Sequence, residues 1–262
     1  MTKLSPRLTF WILLLFVGSG CSALVYEVVW FQLLELVVGA TAVSLGVLLA
    51  TFMGGLCLGS LLFPRFVPLD RHPLKVYTSL ELGIGALGLV VLFALPALGN
   101  LYAANAGHGF LSVLLRALLA IICLLPPTVL MGATLPAVAR LIESTPSGVS
   151  WLGFFYGGNI AGAVIGSLLA GFYLLRVYDM ATATYVAVAI NVAVAAVAWV
   201  LSTRVQAQTR EAAPSGRAIK ARPTGARSSN TRDPDTRSAN LQGSRSLRTS
   251  VYVAIEIGRA HV

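Results

Sequence analysis

Glu27, Glu81, Arg116 and Asn159 are the residues with chemistry to offer, because each interrupts a run of apolar residues long enough to cross a bilayer. Ionisable and amide groups are costly in hydrocarbon, so they pair, hydrogen-bond across helices, or line a path for a solute or a proton. A helix rises about 1.5 Å per residue, which separates the four by depth. Glu27 falls near the outer interface and Arg116 about 10 Å deep from the same side, so an ion pair between them is expected. Glu81 and Asn159 each lie about 12 Å in from the cytoplasmic ends of their spans, where they bridge helices or face a cavity. For all four, structural bridging and a substrate or proton site are both open readings. Glu35 falls outside the membrane and is the weaker candidate.

Other chemistries have little support. Cys21, Cys57 and Cys123 lie inside apolar runs without CxxC spacing, and the three histidines are scattered at 72, 108 and 261. No metal site, disulfide framework or cofactor is expected from such spacing. The glycine cluster GGNIAGAVIGS, 157–167, lacks the preceding strand and polar surroundings of a nucleotide-binding loop. No catalytic residue can be assigned.

The elements that must position these groups follow from composition. Only 11% of the 262 residues are charged and 56% are hydrophobic, against about a quarter charged in soluble domains. Lipid as solvent resolves the difference. A crossing helix needs about 20 apolar residues, and the chain offers six such spans, at about 8–34, 40–63, 74–98, 110–137, 151–175 and 180–202. The first follows Lys3 and Arg7 as a signal peptide would, but it is read as a retained helix because five more spans follow. The expected fold is therefore an all-α integral membrane protein, a six-helix bundle over 1–202 with a disordered basic tail over 203–262.

Lys and Arg stay on the cytoplasmic side. With the N-terminus inside, Lys3, Arg7, Arg65, Arg71, Lys75 and Arg140 fall inside, and only Arg176 falls outside. The tail adds eleven Lys or Arg against four acids, and so holds +7 of the net +9. Both termini are expected in the cytoplasm, with the bundle in a bacterial inner membrane.

Helices in lipid associate through small residues. The second span carries Ala42, Gly46, Ala50 and Gly54 at four-residue spacing, with Gly55 and Gly59 beside them. The fifth carries Gly158, Gly162, Gly166 and Ala170 in one row and Gly153, Gly157 and Ala161 in another. All of these rows are expected to be packing faces. Pro126 and Pro127, with Pro136 beyond, are expected to kink the fourth span, as bundle shaping or as a hinge.

Five segments occur in order: SALVYEVVWFQLL (22–34), LATFMGGLCLGSLL (49–62), LELGIG (80–85), LLPPTVLMGATLPAVAR (124–140) and YGGNIAGAVIGSLLAGFYLL (156–175). Together, over about residues 8–202, they resemble the membrane region of the bacterial fused transporter/spermidine synthase family. The resemblance implies a major facilitator-like half preceding a cytoplasmic aminopropyltransferase domain that uses decarboxylated S-adenosylmethionine. The loop 59–75, with Asp70 and Arg71, loosely resembles a major facilitator loop but lacks its full spacing. After Ser202 no strand–glycine loop–helix unit appears, so none of the family's catalytic residues carries over. The functions expected are the membrane domain of such a fusion, half of a transporter for a small polar or cationic solute, or a non-transporting scaffold. A transporter half needs a homodimeric partner or a second half.

Residues 203–250 are too poor in apolar residues to offset ordering entropy. Their expected partner is solvent or anionic lipid rather than nucleic acid, since aromatic residues for stacking are lacking. The ending IGRAHV, 257–262, is what one frame of a sequencing-library adapter encodes, and a truncated or chimeric reading frame is expected there.

Overall fold

A computed structural model describes residues 6–39, 41–68, 71–105, 110–142 and 148–212. The chain divides into two units, Met1–Pro214 and Ser215–Val262. The second lies outside the described residues, and with it most of the expected tail and its ending.

The described residues form helices joined by short connections, with no strand among them. The elements are α1 (Pro6–Val38), α2 (Thr41–Phe66), α3 (Pro73–Asn105), α4 (Phe110–Ile142), α5 (Gly148–Leu168), a π-helical segment (Leu169–Leu174), α6 (Leu175–Val177) and α7 (Met180–Ala212). Six stretches are long and apolar enough to cross a membrane: Leu8–Val38, Ala42–Phe66, Pro73–Gly99, Val113–Arg140, Trp151–Val177 and Met180–Arg204. The fold is thus a multi-pass helical bundle. The helices outrun the expected spans at their ends, and α7 carries 203–212, the first part of the expected tail, as helix.

Local chemistry ends these helices. Gly39 adopts φ +88° and returns its N–H to the Glu35 carbonyl at 3.0 Å, the left-handed stop that glycine makes without strain. Asp179 begins α7, accepting the Thr182 N–H at 2.7 Å. Hydrogen bonds from the Thr182 hydroxyl and then its N–H hold the Asp179 carboxyl below the usual carboxylate range. Arg140 donates to the Val67 carbonyl at 2.9 Å and lies over the Phe63 ring at 4.4 Å, closing the C-terminal end of α2.

α1 is the central helix, in contact with α2, α3, α4, α5 and α7. Its register on α3 is constant: Leu15 meets Tyr77, Ser19 meets Glu81, Tyr26 meets Gly88 and Val37 meets Gly99, always 62 positions apart. The two helices therefore run parallel and side by side. α5 lies parallel to α1 through a glycine seam. Side chains added at Gly158, Gly162 and Gly166 would meet Leu13, the Val17 carbonyl and the Cys21 carbonyl.

A second seam joins α2 to α4, where Gly55 faces Thr128, Gly59 faces the Val129 carbonyl and Gly132 faces the Leu56 carbonyl. Bare backbones meeting carbonyls in this way are the close approach that drives association in lipid. Gly46 and Gly54 behave otherwise, since each looks onto open space, as do Gly153 and Gly157. Within this bundle each of the two helices uses one row and leaves the other bare. A helix apolar all round carries no amphipathic mark to distinguish them.

α4 continues as helix through Pro126, Pro127 and Pro136. The Thr128 hydroxyl lies 3.0 Å from the Leu124 carbonyl, 2.9 Å from that of Leu125 and 3.5 Å from that of Thr51 across the seam. Its single proton bonds one of these at a time; the carbonyls that Pro126 and Pro127 leave without a helical donor are those of Ile122 and Cys123. Ahead of α6, the π-helical segment widens the chain, with Leu175 N–H reaching back to the Ala170 carbonyl.

Candidate functional site

α3 presents Glu81 to α1 fully buried, with no exposed surface. The Ser19 hydroxyl donates to Glu81 Oε1 at 2.6 Å, and the Ser22 hydroxyl donates to the Ser19 carbonyl at 2.9 Å. Tyr77, one turn before Glu81, brings its hydroxyl beside the same carboxyl and 3.4 Å from the Leu15 carbonyl. The second oxygen of Glu81, Oε2, is buried and accepts no hydrogen bond from the protein.

One and two turns further along α3, Gly85 and Gly88 leave its backbone bare, and polar side chains from two other helices occupy the space. Asn191 of α7 approaches Gly85, its Cβ 3.7 Å and its Nδ2 4.0 Å from where a Gly85 side chain would begin. Tyr26 of α1 covers Gly88, its hydroxyl 3.0 Å from the corresponding point. Both side chains are fully buried, and the Tyr26 hydroxyl and both ends of the Asn191 amide have no protein partner. The cluster spans seven residues of α3, about 10 Å of helical rise. Below it, the Thr78 hydroxyl contacts the Ala195 carbonyl at 3.4 Å and ties α3 to α7.

The remaining expected residues are dispersed around this cluster. Asn159 of α5 packs on Gly20 of α1, level with Ser19 but on another side of the helix. The shared depth expected for Asn159 and Glu81 thus appears as two contacts to neighbouring α1 residues. Glu27 is half-buried on α1. Arg116 of α4 donates to the Val37 carbonyl at 3.2 Å, ten residues beyond Glu27. At that position it serves a carbonyl of the last turn of α1, where a helix has no intrahelical donors left. A capping role accounts for an arginine at this depth.

Tyr26 and Asn191 were not among the expected site residues. Asn191 is a lone amide in an apolar run, the same signal that singles out Asn159. Tyr26 stands next to Glu27, whose charge draws attention first. Only the fold brings both to the Glu81 side of the bundle.

The chemistry available is that of a lone carboxyl with neutral oxygen and nitrogen groups around it. Among the described residues no three His, Cys, Asp or Glu side chains are grouped to hold a metal ion. A buried carboxylate without a compensating charge costs several kcal/mol, so this one takes either a proton or one positive charge. Comparison with protein-family models, curated proteins and solved structures finds no match to the chain.

Proposed function

We propose that this bundle is the membrane domain of a fusion of the transporter/spermidine synthase type, and that it recognises a small cationic solute within the membrane. The observation that carries the solute reading is the fully buried Glu81, with one oxygen held by Ser19 and the other unpaired. An intramembrane carboxyl facing other helices is a functional group by default. The fusion reading rests on the resemblance. Segments 49–62 and 124–140 face each other across the α2–α4 seam, 156–175 lies against α1, and 80–85 contains Glu81 and Gly85. In this reading both termini are cytoplasmic, in a bacterial inner membrane. The open glycine faces of α2 and α5 receive a second six-helix unit, and the chain by itself transfers no aminopropyl group.

The direct test is uptake of labelled spermidine into liposomes carrying the full chain, with and without Glu81→Gln. Uptake reduced at least about tenfold by the substitution supports the reading; an ion pair or charged hydrogen bond lost from a buried site is worth that much. No uptake above that of protein-free liposomes in either favours a non-transporting scaffold, and equal uptake above it takes Glu81 out of the path. Coding DNA read beyond Val262 tests the fusion separately, since a glycine-loop α/β domain downstream is its requirement.

A further inference from the structure

Three buried acceptors without a protein partner come from three different helices: Glu81 Oε2 from α3, the Tyr26 hydroxyl oxygen from α1 and the Asn191 amide oxygen from α7. Tyr26 lies against Gly88 and Asn191 against Gly85, the two glycines that follow Glu81 on the same face of α3 and keep its backbone clear. Buried polar atoms in native proteins almost always find partners, and a fully buried amide with both ends unpaired is a strong exception. The cluster carries one carboxyl that can balance one positive charge, and among the described residues no Lys, Arg or His is hydrogen-bonded to it.

We propose that Tyr26, Glu81 and Asn191 form the binding site for a primary ammonium group. An ammonium head carries one positive charge and three N–H donors with no acceptor, which suits one carboxylate with neutral acceptors on the adjoining turns. Ser19 and Tyr77 are positioning residues: the Ser19 hydroxyl holds Oε1 and leaves Oε2 to the ligand. Gly18, Ile190 and Val194 line an apolar groove of about 350 Å³ bordered by α1, α5 and α7, which would be the side of access. Gly18 and Ile190 are the chain neighbours of Ser19 and Asn191, so a small separation of α1 and α7 opens the cluster. This assignment deepens the solute reading above and depends on it only for transport, not for binding.

The experiment uses the full chain in nanodiscs and measures the thermal unfolding midpoint against methylammonium, tetramethylammonium and sodium chlorides at equal ionic strength. Methylammonium raises the midpoint; tetramethylammonium, which has no N–H, and sodium do not. Glu81→Gln removes the response, and Tyr26→Phe weakens methylammonium binding about tenfold, as loss of a hydrogen bond to a charged group does. Asn191→Thr and Asn191→Val have the same shape and differ in one oxygen, so they separate binding from folding. The threonine variant binds more tightly than the valine variant. Equal binding by these two, an equal response to sodium, or no response to methylammonium overturns the assignment. Spermidine uptake that depends on Glu81 but is unchanged in Tyr26→Phe and Asn191→Val overturns it too, while leaving the transport reading intact. Methylammonium binding without any flux has the opposite meaning: the site stands and the transport reading falls.

Discussion

A carboxyl in a hydrocarbon-facing bundle depends on its few hydrogen bonds more than one at a surface does, because water cannot replace a lost partner. The 2.6 Å bond from Ser19 is the one that Glu81 receives from across the α1–α3 seam. Ser19→Ala therefore lowers stability by about 1–3 kcal/mol, the cost of an unsatisfied buried acceptor. The same substitution in a Glu81→Leu background costs much less, since no acceptor is left wanting. Unfolding in detergent micelles measures both, and equal losses in the two backgrounds mean that the bond contributes nothing. Arg116 and Arg140 show the other use of a polar group at this scale. Each reaches a carbonyl near a helix end, Val37 for α1 and Val67 for α2, and each brings positive charge where the helix dipole is negative.

At the scale of helices, the two seams and the two bare rows make a contrast within single elements. Ala in place of Gly59 or Gly162 drives a methyl group into the backbone of α4 or α1. Backbone cannot swing aside as a flexible side chain can, so each change costs about 1–3 kcal/mol of overpacking. Ala at Gly46 or Gly54 meets nothing within 4 Å and is neutral or slightly stabilising, since alanine is the better helix former. Thermal unfolding of the four variants in one detergent gives the ranking. Loss of stability at Gly46 equal to that at Gly59 contradicts the assignment of seams. The central position of α1 follows from the same device. It carries Gly18 against Val194 of α7 and Gly20 against Asn159 of α5, so neighbours approach it closely on more than one side.

Over the whole molecule, aromatic residues mark two levels. Trp11, Trp151 and Trp199 are exposed near one end of α1, α5 and α7, with Lys75 placed 5.8 Å over the Trp199 ring. Tyr173 and Tyr178 are exposed at the other end, their rings 5.9 Å apart. Trp151 and Tyr173 are separated by 22 residues, about 33 Å of rise, close to the thickness of a hydrocarbon core. Tryptophan and tyrosine belts at both interfaces are what a bilayer selects. The proposed orientation puts the tryptophan level inside. With the native cysteines replaced by alanine, Arg71→Cys is then shielded from a membrane-impermeant maleimide in whole cells, and Tyr178→Cys is labelled. The reverse pattern inverts the topology.

Composition and run length alone determined that the chain is a multi-pass helical membrane protein, because a bilayer accepts so few charges and demands about 20 apolar residues per crossing. They also made Glu81 conspicuous, since a charge in an apolar run stands out wherever it points. What faces what was decided only in three dimensions. Lipid and protein interior are equally apolar, so nothing in a glycine row says whether a helix or lipid lies against it. Gly55 and Gly59 are buried while Gly46 and Gly54 meet open space. The grouping of Glu81 with Tyr26 and Asn191 depends on a constant α1–α3 register and on α7 crossing beside Gly85. Both are set by close packing of side chains and bare backbone over long sequence separations, which no local pattern encodes.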